Sequence, residues 1–127
     1  MALDDQAKLA IQASYAAASR AGDLDALAAL SEPGAVVWHN HDDAVVSLAQ
    51  TGRTLRWLHK VVRGLDWIDV AVLPTPEGFV WRAILTGTAP GGPLRVPTCM
   101  VVTLSEAGLI SRLDEYLDAA ALTPLQG

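Results

Sequence analysis

The chain predicts an α+β fold, with helices packed on one face of a curved antiparallel sheet. Three observations carry that class. Apolar residues in the first half recur at helical spacing. Those in the second half fall into β-branched and aromatic runs. The runs are divided by PTPEG, APGGP and SEAG, all strong turn signals. At 127 residues, without repeat, low-complexity tract or linker, the sequence reads as one domain over 1–127.

Residues 4 to 21 are Ala-rich, with a stripe at Ala7, Ile11, Ser14, Tyr15 and Ala18 that fits an amphipathic helix. Gly22 can close its C-terminus, and Asp23 can cap a second helix in DLDALAAL. SEPG reads as a turn and AVVWHN as a short strand. A third helix fits about 47 to 63, with Leu48, Leu55, Leu58, Val61 and Val62 forming an imperfect apolar face around Gly52. Then come WIDVAVLP, FVWRAILTGT, LRVPTCMVVTL and LISRLDEYLD, a four-strand meander. The tail AAALTPL can form a last helical turn capped by Asp118. Runs such as LRVPTCMVVTL are apolar at both parities, so the back of the sheet is expected to be covered, most simply by a second subunit.

Composition narrows the partners. The hydrophobic fraction is 51% and the charged fraction 18%, more apolar surface than a small monomer needs, which suits a ligand cavity, a subunit interface or both. Net charge is −5 and the nine Lys and Arg are scattered, against nucleic-acid binding, which needs clustered positive charge. A single cysteine, Cys99, rules out an internal disulfide and agrees with a reducing cytoplasm. MALDDQAK is acidic where a signal peptide is basic, and no apolar run approaches the ~20 residues of a membrane span. A cytoplasmic protein with no membrane partner is expected.

YAAASRAGDLDALAALSEPGAVVWHN, together with GLISRLDEYLD near the end, resembles the ketosteroid isomerase and SnoaL-like superfamily. The pattern is Tyr, then Ala-Ala, then Ala-Gly-Asp-Leu-Asp, then a strand, ungapped over about 25 residues and matched at the C-terminal end by a Gly-x-Ile…Tyr-x-Asp pattern. The order of helices and meander extends the similarity over nearly the whole chain. The resemblance implies the nuclear-transport-factor-like cone fold, with an apolar pocket between helices and concave sheet, often in a homodimer. It also implies chemistry by a base and a hydrogen-bond donor in a dry cavity, with no cofactor and no metal. Members isomerise steroids, close polyketide rings, open epoxides, dehydrate, or only bind, so the fold alone does not choose among them.

Carried over residue by residue, the ungapped match sets His39 where ketosteroid isomerases hold their general base; imidazoles exchange protons near neutrality. A one-residue slip sets Asn40 there instead, like the polar residue with which limonene epoxide hydrolases hold water. Strand alternation lets His39 or Asn40 face the pocket, but not both. Tyr15 occupies the position of the isomerase's oxyanion-hole tyrosine. Each also has a plain alternative: a strand-end histidine bonded to backbone, or a core tyrosine. Glu115 is flanked two residues either side by Leu113 and Leu117, so alternation sets a carboxylate in an apolar row, where burial would raise its pKa. It matches the second acid of epoxide hydrolases, or it is an ion-pair partner of Arg82 or Arg112.

Arg82, a charge among apolar neighbours in VWRAIL, could reach Glu115 across the sheet. The second acidic donor of ketosteroid isomerases is replaced here by Cys99 or Met100, and the first Asp of the epoxide-hydrolase triad is missing near Trp81 and Arg82. Neither activity transfers intact. Trp38, Asn40, Arg82, Cys99 and Met100 are expected around the pocket. Trp57, Trp67 and Trp81 read as core or interface, with one or two lining the pocket. His39, His41 and Asp42 do not resemble a metal site, and His59 beside Arg56 and Arg63 reads as surface. The expected function is acid–base catalysis on a small hydrophobic polyketide-, terpenoid- or steroid-like molecule; the alternative is a non-catalytic binder or dimerising accessory domain.

Overall fold

A computed structural model describes residues 3–127. Helix α1 (Asp5–Ala21) begins where the Asp4 carboxylate accepts the Ala7 N–H, and ends at Gly22, whose φ of 65° is the left-handed conformation a glycine cap supplies. Asp23 accepts the Ala26 N–H to start α2 (Leu24–Ala29). Strands β1 (Ser31–His39) and β2 (Val45–Ser47) follow, then α3 (Leu48–Val61), then the long strands β3 (Arg63–Thr75), β4 (Gly78–Ala89) and β5 (Gly92–Leu104), then β6 (Ile110–Leu117). A 3-10 helix, Ala119–Gln126, closes the order and is capped by Asp118, as expected. Among the described residues no helix is long and apolar enough to cross a membrane.

The six strands form one curved, unclosed sheet in the order β2-β1-β6-β5-β4-β3. The expected α+β arrangement stands, with one pairing that departs from antiparallel: β1 lies parallel to β6. SEPG is not a turn. It forms the first half of β1, and the register shifts between Ser31 and Val36. β2 pairs only with Val36 to Trp38, so Pro33 lies where β1 has a neighbour on one side and needs no second N–H bond. The third helix stops short of 63 because Arg63 already pairs with Thr88 of β4.

The buried side of α1 is Lys8, Gln12, Tyr15, Ala16, Ala18 and Ser19, so Ser14 faces outward rather than in the stripe. Lys8 is tolerated inside because its Nζ donates to the Thr75 carbonyl at 2.6 Å. Gly52 is the buried residue of α3. A Cβ there would stand 3.2 Å from the Leu24 side chain, so the missing side chain lets α3 close on α2. His59 is not a surface residue: its Nε2 lies 2.9 Å from the Ser19 carbonyl oxygen, with its ring over Gly22.

The pleat sorts the sheet into two faces. Inward point Phe79, Trp81, Ala83 and Leu85 of β4 and Leu94, Val96, Thr98, Met100 and Val102 of β5, all buried. Two apolar clusters form on this side. One gathers Tyr15, Leu27, Val37, Trp81, Met100 and Leu113; the other gathers Val62, Leu85, Leu94 and Val96 with Leu122 and Leu125 of the C-terminal helix. The outer side keeps Ile68, Leu73, Val101 and Tyr116 exposed.

Candidate active site

A cavity of about 430 Å³ lies where the two clusters meet, within the size range of small-molecule sites. Its wall takes Tyr15, Leu27, Val37, Met100 and Leu113 from the first cluster and Leu58, Leu65, Leu85, Val96, Leu122 and Leu125 around the second. The elements that make the cavity are therefore those that make the core.

Three strands deliver its polar group. In the register, His39 of β1 stands opposite Glu115 of β6, and Glu115 opposite Met100 of β5. All three line the cavity. Glu115 sits between Leu113 and Leu117 on the inner face, as alternation requires. Its Oε1 lies 4.0 Å from His39 Nε2. Burial, and then the negative charge of Asp42, push the Glu115 carboxyl up to about 7. Tyr15 reaches the cavity from α1, its ring edge-on to Trp81 at 5.9 Å. Burial first and the Glu115 charge second raise the Tyr15 phenol well above its ordinary range.

The turn after β1 is fixed by its own polar residues. Asn40 Oδ1 accepts the Leu117 N–H at 2.9 Å, Asp42 accepts the Ala44 N–H at 3.0 Å, and Asp43, in left-handed backbone, accepts from Trp38 Nε1 at 2.8 Å. Asp42 is held with its Oδ1 3.6 Å from His39 Nδ1 and its Oδ2 3.8 Å from His41 Nε2. The backbone bond from Ala44, followed by the two imidazoles, lowers the Asp42 carboxyl. His39 Nδ1 and Thr51 Oγ1 are buried without a protein hydrogen-bond partner and belong to residues on the cavity wall. Among the described residues no three His, Cys, Asp or Glu side chains converge as metal ligands would.

The structure thus gathers Tyr15, His39, Glu115 and Met100, and separates the other expected pocket residues. Asn40 is a backbone cap, so His39 rather than Asn40 faces the cavity. Trp38 stands on the outer face against Tyr116, with ring centroids 5.3 Å apart. Arg82 and Cys99 face each other in register on that same outer side, one residue from Trp81 and Met100, which point in. Arg82 therefore cannot reach Glu115, and the expected ion pair is absent; Arg112 pairs instead with Asp114. Sequence reasoning missed His41 and Asp42, which line the cavity beside His39. The unbroken polar run from His39 to Asp43 was the available signal; His41 and Asp42 lie in the turn beyond β1, where strand alternation no longer applies. Of the tryptophans, Trp57 and Trp67 line the cavity, while Trp81 is core.

A model of the SnoaL-like domain matches residues 11–113. The chain belongs to the SnoaL-like domain family. The fold is that of the nuclear-transport-factor-like superfamily, as the resemblance implied. This SnoaL-like chain is similar in structure to PrhC from Penicillium brasilianum NBRC 6234, with a TM-score of 0.82 at 15% identity over 94% of this chain and 85% of that one. The BvnE pinacolase from Penicillium brevicompactum has a TM-score of 0.81 at 12% identity, over 95% and 92% of the two chains. A putative SnoaL-like polyketide cyclase from Shewanella denitrificans OS-217 has a TM-score of 0.77 at 14% identity, over 94% and 96%. At these identities the likeness is one of fold. No curated protein matches the sequence.

Proposed function

We propose that this SnoaL-like protein is a cofactor-independent acid–base enzyme that encloses a small hydrophobic polyketide-, terpenoid- or steroid-like molecule and moves a proton to or from it through Glu115. One observation carries the reading: a carboxyl raised to about 7 on a wall made mostly of apolar side chains. Such a group is near half-ionised at neutral pH, so it takes a proton as readily as it gives one. Tyr15, held protonated by its raised pKa, donates its O–H to an oxygen that gains charge in the reaction. His39 stands beside Glu115 to accept or return the proton. Isomerisation, ring closure, dehydration and epoxide opening all fit these roles, and solved proteins of this fold include one named as a pinacolase and one as a putative polyketide cyclase.

A second reading, a non-catalytic binder, is favoured by Trp57 and Trp67 on the wall, since flat indole surface holds ligands without any chemistry. Proton abstraction from 5-nitrobenzisoxazole, a hydrophobic substrate whose ring opens when a base removes one C–H, separates the two. The enzyme reading expects a rate that rises as pH passes through about 7, and a loss of about 10²- to 10⁴-fold in Glu115→Gln with the fold retained. No acceleration by the wild type, or an unchanged rate in Glu115→Gln, leaves only the binder.

We also propose that the exposed apolar outer face, with Val101, Tyr116, Ile68 and Leu73, closes on a second copy of the chain. Sedimentation should show a dimer at micromolar concentration; a stable monomer there overturns this part.

A further inference from the structure

The charged side chains of the cavity wall are of one sign. Glu115 and Asp42 line it, and among the described residues no lysine or arginine does. Of the basic groups outside the wall, Arg20 pairs with Asp66, Arg112 with Asp114, and Lys8 donates to the Thr75 carbonyl, while Arg53 and Arg56 of α3 are exposed to solvent and do not line the cavity. Tyr15, Trp57 and Trp67 share the wall with the carboxylates. The faces of aromatic rings attract cations and repel anions, in the same sense as the carboxylates. The other titratable neighbours of Glu115 on the wall are His39 and His41. An anion entering this cavity would lose hydration and meet two carboxylates without a partner.

We infer that the cavity selects ligands by charge: it takes hydrophobic molecules bearing an amine ahead of neutral ones of the same skeleton, and turns carboxylates and phosphates away. This deepens the proposed function by naming a substrate class. It rests on the same cavity and on Glu115, but not on any proton transfer by them. The amine is recognised where Asp42 and Glu115 act on one another across the wall, with the half-exposed Trp57 on the same wall. The skeleton fills the apolar interior between the two core clusters.

Isothermal titration of the full-length protein at about pH 8.5, where Glu115 is ionised, tests this with three probes on one bicyclic skeleton: 2-naphthylmethylamine, 2-naphthylmethanol and 2-naphthoate. The amine should bind about tenfold more tightly than the alcohol and the carboxylate at least tenfold more weakly, the size of one partly screened charge contact. Glu115→Gln should bring the amine within about threefold of the alcohol while alcohol binding is unchanged. Asp42→Asn, a change at an exposed position that keeps an oxygen for the Ala44 N–H, should narrow the same ratio and serves if the first variant does not fold. Carboxylate binding at or above the alcohol, an amine no tighter than the alcohol, no amine binding at millimolar concentration, or an amine preference that survives both variants overturns the inference. If the charge order fails while Glu115→Gln still abolishes proton abstraction, only the charge selection is lost. If the order holds and proton abstraction is unaffected, only the catalytic reading is lost.

Discussion

The inner and outer faces of the sheet are made from adjacent residues of the same strands, and they do opposite work. On β4, Trp81 is 1% exposed while its neighbour Arg82 is exposed to solvent. On β5, Val102 is buried and Val101 is 37% exposed. On β6, Glu115 looks into the cavity while Asp114 beside it pairs with Arg112 in water. The comparison teaches that a charge on this sheet has no fixed meaning. Arg82 is a solvated ion because it falls on one parity, and Glu115 is a perturbed carboxyl because it falls on the other. Alternation, rather than composition, assigns chemistry here.

The hardest way to break the comparison is at Trp81. It is among the largest fully buried side chains and touches Tyr15 and Trp67 edge-on or tilted. Trp81→Ala should cost about 3–5 kcal/mol in urea unfolding. Arg82→Ala, one residue along, should stay within about 0.5 kcal/mol. Equal costs would mean that the pleat does not divide the strand as described.

The next effect sharpens the contrast by pH. Glu115 is raised from the ordinary 4.5 to about 7, so the folded protein binds its proton more tightly than the unfolded chain does. Stability from this group is greatest below pH 4.5, falls as pH rises to about 7, and is level above that. At about 1.4 kcal/mol per pH unit the fall is at most about 3 kcal/mol, and smaller because the side chain keeps 22% of its surface exposed. Glu115→Gln should remove this slope and leave the protein about 1–2 kcal/mol more stable at pH 8, while losing proton transfer. A variant less stable than wild type at pH 8 would show that the carboxylate is held by a favourable partner, and the cavity assignment would fail with it.

Much of this division was legible in the sequence. The caps at Asp23, Gly22 and Asp118, the four long strands and the apolar row around Glu115 follow from local spacing, which the sequence contains in full. Tyr15 and His39 were reachable through the resemblance, with Asn40 left as the alternative to His39, and Glu115 through resemblance and parity together. What failed was long-range. Whether Arg82 meets Glu115 depends on which face β4 turns inward, and both VWRAIL parities are rich in apolar residues, so the run itself is silent. SEPG reads as a turn because Pro and Gly usually break strands, yet a strand with a neighbour on only one side tolerates both. His41 and Asp42 were not assigned to the site, because the bond that holds their turn against the sheet, from the Leu117 N–H to Asn40, closes only in three dimensions.

Asn40 gives a smaller test. Its side chain holds the end of β6 from outside the cavity, by one hydrogen bond to the Leu117 N–H. Asn40→Ala should cost about 1 kcal/mol and leave the charge order of bound ligands as it is. If it altered proton abstraction as strongly as His39→Ala, the assignment of residue 39 to the inside and residue 40 to the outside would be reversed.

The smallest expected effect is the most specific to the two-faced sheet. Arg82 stands opposite Cys99 and Glu115 opposite Met100, so the two charges lie on opposite sides of the sheet with its backbone between them. An ion pair would couple them, whereas separated sites add. A double-mutant cycle with Arg82→Gln and Glu115→Gln, followed by urea unfolding at pH 8 where both groups are charged in the wild type, measures that coupling directly. Independent sites should add within about 0.3–0.5 kcal/mol. The same cycle on proton abstraction should show Arg82→Gln leaving the rate unchanged in either background. A coupling of 1 kcal/mol or more on the scale of contacting residues would mean that the guanidinium reaches the carboxylate after all. The raised pKa of Glu115 would then be untenable, because a facing arginine lowers a carboxyl rather than raising it.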